Sequence, residues 1–315
     1  MKVNKNIEII DPISAHDFEE KYLIPQKPVL IKGLGNHYPA GQKWSIEFLK
    51  QYCGDVKVGV FDNNQQHSKA SAYTTPDMEM QFSDYVENVM TAGKSNLRMF
   101  LFNMFKHKPG LRNDFPCPYL FKGILGKIGH MFFGCEGTKV RIHQDIDMSN
   151  VLLTQFYGRK KVILIAPEYS DLLYRLPFNT YSLVDLDNPD YVKYPGLKYV
   201  EAEEYILEPG DSLFMPSGYW HFITYLDGGF AVSYRKIAQT LRLKLWGLFC
   251  LVFYMPLDKL MNLIMGKKWL AKKELIAEMR ANKAILRKKY ENGDLTIAPK
   301  NQVKTYYTQL RTGHH

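Results

Sequence analysis

The chain has 315 residues, enough for one large domain or a domain with an extension, and ample for a buried core. Its hydrophobic share of 46% is that of a globular protein, aromatic residues are abundant at 14%, and no low-complexity segment or internal repeat interrupts it. Net charge is +9, but residues 266–315 hold twelve Lys or Arg against four acids, nearly the whole excess, so any attraction to nucleic acid or acidic lipid belongs to the tail and not to the near-neutral body.

The N-terminal MKVNKNIEIIDPIS lacks the apolar run of a signal peptide. Cys53, Cys117, Cys135 and Cys250 are scattered and form no CxxC pair, which argues against a disulfide framework or zinc ribbon and fits a reducing cytoplasm. PVLIKGL (28–34) reads as a short strand closed by glycine. WSIEFLKQYCG (44–54) reads as a helix capped by Ser45, with Phe48 and Leu49 inward and Gly54 after its end. VKVGVF (56–61) alternates like a strand. FSDYVENVMTAG (82–93) reads as a helix with Ser83 near its start and Gly93 past its end, and NLRMFLFNMF (96–105) as a strand.

From about 130 to 238 the signal is almost all β: short apolar runs punctuated by Gly, Pro, Asn and Asp, the pattern of a sandwich or barrel. Residues 167–200 interrupt it with a Tyr-, Pro- and Asp-rich excursion over the surface, of a length that usually serves function. A lid over a substrate entrance is one reading of it. After 238 the chain turns helical. TLRLKLWGLFCLVFYM (240–255) is densely apolar, LDKLMNLIMG (257–266) keeps helical spacing, and residues 269–293 form a basic amphipathic helix ending at Gly293. Residues 294–315 read as a weakly ordered tail. The domain reading is thus 1–240, a helical extension over 241–293, and the tail.

The chemistry centres on HQD at 143–145. On a strand, residues i and i+2 share a face, so His143 and Asp145 project together with Gln144 opposite. An imidazole and a carboxylate side by side offer two positions to a divalent metal. His221, in PSGYWHF (216–222), is the best third ligand, and two His plus one carboxylate with open positions is the arrangement of non-haem Fe(II) oxygenases.

GCEG (134–137) with HQD six residues past its second glycine, GRKKVILIAP (158–167), DLDNPDY (185–191) and PGDSLFMPSGYWH (209–221) follow one another in a specific order and spacing. PVLIKGL and WSIEFLKQYCGD add N-terminal pieces. Over roughly residues 8–240 the chain resembles the cupin-like JmjC family of Fe(II)- and 2-oxoglutarate-dependent oxygenases, and within it the type of the asparaginyl hydroxylase of the hypoxia response. The resemblance implies a mainly β fold, a double-stranded β-helix of jelly-roll type with α additions. It implies iron held by His143, Asp145 and His221, and the distal carboxylate of 2-oxoglutarate gripped by Lys160, a residue whose neighbours Arg159 and Lys161 lie one register away. It implies decarboxylation of 2-oxoglutarate coupled to hydroxylation of a C–H bond. The chain departs from the type at two co-substrate positions: Val140 stands for a threonine and Phe100 for a tyrosine. Thr138, Asn103 or Thr154 can substitute for the missing hydroxyls, and Thr154 and Ser233 lie on barrel strands that can face the pocket. Tyr219 and Trp220 either wall the metal site or pack the core, and Gln144 and Asn150 are candidate substrate contacts.

The uncharged run 245–255 is eleven residues, shorter than the roughly 20 of a spanning helix, and Pro256, Asp258 and Lys259 interrupt it, so a transmembrane helix is not expected. The extension then serves as a homodimer interface, as family relatives use such helices, as an interfacial helix over 241–273 on acidic lipid, or as helices folded onto their own barrel. No base-reading motif supports nucleic-acid binding. The leading function is an Fe(II)/2-oxoglutarate hydroxylase of a protein or peptide. RNA and small-molecule substrates, a non-catalytic cupin-like binding module, and a metal cupin using other chemistry are the alternatives.

Overall fold

The structure, a computed structural model, describes residues 1–62, 76–90, 97–123, 125 and 128–295. Each short β-branched and aromatic run of the middle of the chain becomes a strand because Gly- and Asp-rich turns end it. Strands β1 to β6 are Lys2–Asn4, Ile9–Ile10, Val29–Ile31, Lys57–Asp62, Met78–Gln81 and Leu97–Phe102. Strands β7 to β10 are Gly129–Gly134, Lys139–His143, Asn150–Tyr157 and Lys160–Ile165. Strands β11 to β14 are Glu201–Leu207, Ser212–Met215, Trp220–Tyr225 and Gly229–Lys236.

They form two sheets, one in the order β1-β11-β10-β13-β8 and one in the order β2-β3-β12-β9-β14-β7-β6-β4-β5. The neighbours β8–β13–β10–β11 and β12–β9–β14–β7 are all antiparallel, and from β7 to β14 successive strands alternate between the sheets except β10 and β11, which pair with each other, the jelly-roll arrangement expected from the sequence. Residues of both sheets line a common cavity. The tight links are chemical necessities: Gly158 takes a positive φ of 65° between β9 and β10, and a side chain there would strike the Gly228 carbonyl.

Ser45 caps the helix Ile46–Cys53 by accepting the amide hydrogen of Phe48 at 3.0 Å, and Leu49 is fully buried, as the pattern predicts. The helix expected at 82–93 starts at Phe82 and continues as a wider turn over Val86–Met90; Gly93 lies outside the described residues.

Two regions differ from expectation. The excursion 167–200 is no loose surface segment. Leu172, Leu173, Val184 and Leu197 are buried in one cluster with Trp220 of the barrel and with Ala277, Ala281 and Ile285 of the helix Lys267–Glu291. The amphipathic helix therefore folds onto its own domain. Pro256 does not end the preceding helix, which runs from Leu241 to Met265. A wider helical turn at Cys250–Tyr254 comes just before the proline and accommodates a ring with no N–H to donate. Asp258 does not interrupt it either, because its carboxylate turns inward to Trp269 and Lys273. Most of residues 294–315 lie outside the described residues.

Candidate metal centre

Strand register places the first pair. His143 on β8 sits directly opposite His221 on β13, and the ring centroids are 4.1 Å apart. Asp145 lies two residues beyond His143, just past the strand end, and turns into the same cavity, while the Gln144 side chain turns away and donates to the Gly218 carbonyl. The ligand atoms of His143, Asp145 and His221 all fall within 4.8 Å of one another, a separation one metal ion can bridge.

The surroundings prepare these groups for coordination. Nδ1 of His143 donates to the Arg141 carbonyl at 2.8 Å, and Nδ1 of His221 to the Tyr219 carbonyl at 3.3 Å. A carbonyl only accepts, so both rings carry their proton on Nδ1 and keep the Nε2 lone pair free. Burial, aided by the neighbouring His221, pulls the His143 imidazole down to about 3, and burial lowers His221 as well. Both rings are therefore neutral near pH 7, the form that binds metal. Burial alone would raise the Asp145 carboxyl, but Arg235, 3.1 Å away, outweighs it and holds it ionised. Arg235 also pairs with Asp147 at 3.1 Å and donates to the Ser149 hydroxyl at 2.8 Å, so the guanidinium itself is fixed.

Lys160 opens β10, opposite Tyr225, and is only 1% exposed. Its ammonium stands 4.3 Å from the centre of the Tyr225 ring and has no carboxylate or hydrogen-bond partner among the described residues. Burial accordingly pushes its pKa well below the ordinary lysine range. Arg159 is not an alternative for this position, since its side chain is exposed and pairs with Asp227 at 2.7 Å.

Sequence reasoning missed a second buried cation, Arg98 on β6. It lines the same cavity, its Nε has no hydrogen-bond partner among the described residues, and its guanidinium lies 4.3 Å from the centre of the Phe100 ring. Arg98 and Phe100 share one face of β6, and a register break between Met99 and Phe102, with Leu101 at a φ of 52°, brings Leu101 to the cavity as well. Arg235, Tyr225 and, from the 167–200 excursion, Tyr181 were also missed. Tyr181 bridges to the His143 backbone, so the excursion forms part of the cavity wall.

Val140 and Phe100 both line the cavity, so hydrocarbon stands where the resemblance expects two hydroxyls. Of the proposed substitutes, Ser233 lines the cavity with a buried hydroxyl that has no hydrogen-bond partner among the described residues. Thr154 faces the other side of β9, its hydroxyl 2.8 Å from that of Ser212, because Val151 and Leu153 hold the inward phase. Asn103 is spent as a helix cap, accepting the Lys106 amide hydrogen at 3.1 Å, and Thr138 lies in the turn before β8. Trp220 points into the core and donates to the Ser170 hydroxyl at 2.9 Å, and neither it nor Tyr219 lines the cavity. Asn150 accepts from Gln26 and from the Ser217 amide, both at 3.0 Å.

This barrel has known relatives. The chain is 30% identical over 234 residues to lysine-specific demethylase 8 of Xenopus tropicalis, covering 70% of this chain and 50% of the relative. It is 31% identical over 245 residues to lysine-specific demethylase 8 of Danio rerio, covering 73% and 58%. It is 27% identical over 241 residues to human tRNA wybutosine-synthesizing protein 5, covering 71% and 75%. The chain thus spans about half the length of the two demethylase-named relatives. Residues 15–235, which contain the whole metal centre, match the model of the cupin-like domain, and the chain belongs to that family.

Proposed function

We propose that the chain is an Fe(II)- and 2-oxoglutarate-dependent oxygenase that hydroxylates a protein or peptide. The observation that carries this reading is one cavity holding both the His143, Asp145 and His221 donors and the buried, unpartnered ammonium of Lys160. Two imidazoles and one carboxylate suit Fe(II) and leave positions for exchangeable ligands. A buried cation without a counter-charge is costly, and a carboxylate entering the cavity removes that cost. The residues therefore fit both groups. When bound, iron and 2-oxoglutarate would supply the oxidising chemistry with O₂ as the oxidant, one oxygen atom passing to succinate as CO₂ is lost and the other to a C–H bond.

The chain supplies position and charge. The Nδ1 hydrogen bonds hold the two imidazoles in a ligating orientation, and Arg235 keeps Asp145 ionised and aimed. Lys160 takes the distal carboxylate of the co-substrate, Arg98 adds a second positive charge to the same cavity, and Ser233 offers a hydroxyl. Val140, Leu153 and Ile223 keep the cavity apolar, which strengthens each of these contacts.

A protein or peptide is favoured as substrate. Two relatives carry a lysine-specific demethylase name, and the near-neutral first 265 residues lack the positive excess that holds a polyanion. The test is turnover in air with Fe(II) and 2-oxoglutarate. Succinate forms with wild type and not with His143→Ala. Peptide and tRNA pools are then searched for a one-oxygen mass gain or a lost methyl group. Modified tRNA with unchanged peptides replaces the protein reading by an RNA one. No succinate from folded, iron-loaded protein with any pool leaves a non-catalytic metal-binding module.

A further inference from the structure

The helix Leu241–Met265 has one face that the protein covers and one that no described residue covers. Gly247, Cys250 and Asp258 are buried. A side chain at Gly247 would strike the Asp147 carbonyl, and Tyr254 stacks 4.7 Å from Phe178 of the excursion. These positions, spaced three or four apart, form the inner stripe. The outer face is apolar and open: Leu245, Leu248, Val252, Phe253, Leu260 and Leu263 are exposed, Leu263 to 84%. Between Leu241 and Lys273 the one acid is Asp258, and it is buried against Lys273. The exposed charges of that stretch are all positive: Arg242, Lys244, Lys259, Lys267, Lys268 and Lys272.

We infer that this face docks onto the surface of an acidic lipid bilayer, the helix lying in the interface with its outer side chains among the acyl chains and its basic residues at the headgroups. Apolar area combined with positive charge alone is the recognition chemistry of such a surface. A second copy of the chain is disfavoured as the occupant. A two-fold contact would set the same basic residues of each copy against one another. A spanning role is disfavoured as well. The helix is long and apolar enough by length and composition, but its inner stripe meets Asp147, Phe178 and the next helix, and that next helix returns to the barrel.

The test is sedimentation of the full chain with vesicles of equal parts phosphatidylcholine and phosphatidylglycerol, and with vesicles of phosphatidylcholine alone. The expected result is binding to the mixed vesicles, weaker binding to the neutral ones, and partial release by high salt. The double variant Phe253→Ser, Leu263→Ser alters only exposed positions, so it keeps its fold and its thermal transition while vesicle partition falls by about tenfold or more. With the purified protein, any of three results overturns the inference: no sedimentation with mixed vesicles; partition unchanged by the double variant; or a wild-type dimer in light scattering that the same variant converts to monomer while vesicles capture neither protein. Resistance of the cellular protein to alkaline carbonate extraction overturns it in favour of a spanning helix.

Discussion

Lys160 and Lys273 are both buried, one to 1% and the other to 0% exposure, yet they are opposites. Lys273 meets Asp258 at 2.8 Å, and Trp269 donates to the same carboxylate oxygen at 2.8 Å, so the charge is neutralised inside the helical hairpin. Among the described residues Lys160 has the Tyr225 ring beside it and no acid, and the cavity wall adds another cation, Arg98, with no acid partner there. A buried lysine with its own acid locks two helices together. A buried lysine without one costs stability in the free protein and is recovered only when an anion arrives. The first belongs to architecture and the second to the site.

Breaking the paired lysine has the largest expected effect. Asp258→Ala leaves an uncompensated buried charge and costs about 3–5 kcal/mol of stability, read as a lowered melting transition. Adding Lys273→Met to that variant restores most of the loss; if it does not, the pair is not what holds the hairpin. Lys160→Met does the reverse. The free protein is at least as stable as wild type, while 2-oxoglutarate binding to the iron-loaded protein, followed by calorimetry, weakens by about 2–3 kcal/mol, or roughly a hundredfold. Arg98→Met is smaller, about 1–1.5 kcal/mol or roughly tenfold, because a neighbouring cation remains; unchanged binding would remove Arg98 from the co-substrate site.

The smallest effect is a pH trend. Burial depresses Lys160 in the folded state while the unfolded chain keeps the ordinary lysine value, so the unfolded state binds the extra proton between the two. Wild-type stability therefore rises with pH through that window. The advantage of Lys160→Met over wild type is greatest below it and shrinks toward the ordinary lysine value. Parallel denaturation curves at every pH would contradict this.

The sequence carried the parts of the site that are local or ordered along the chain. HxD alternation gave His143 and Asp145, and the Pro-Ser-Gly turn gave His221. Lys160 came from the family resemblance, which left Arg159 and Lys161 one register away, and the exposed pair of Arg159 with Asp227 separates them in the structure. Arg98 was invisible because alternation along β6 does not say which of its faces turns inward, and only the pairing of β6 with β7 decides it. Thr154 and Ser233 looked equivalent as strand hydroxyls. Period two fixes alternation but not its phase, and packing decided that Val151 and Leu153 face inward. Arg235 lies ninety residues from Asp145, and no local signal joins them. The helix through Pro256 was hidden because a wider turn and an inward acid absorb features that read as breaks.

The central claim is tested most directly by adding Fe(II) and then 2-oxoglutarate without oxygen and recording the visible spectrum. The account predicts a weak charge-transfer band from the metal–keto-acid chelate in wild type, absent in His143→Ala and diminished in Lys160→Met at equal co-substrate. A folded, iron-loaded wild type that shows no band at saturating 2-oxoglutarate would contradict it, and the unpaired lysine of the cavity would need another anion.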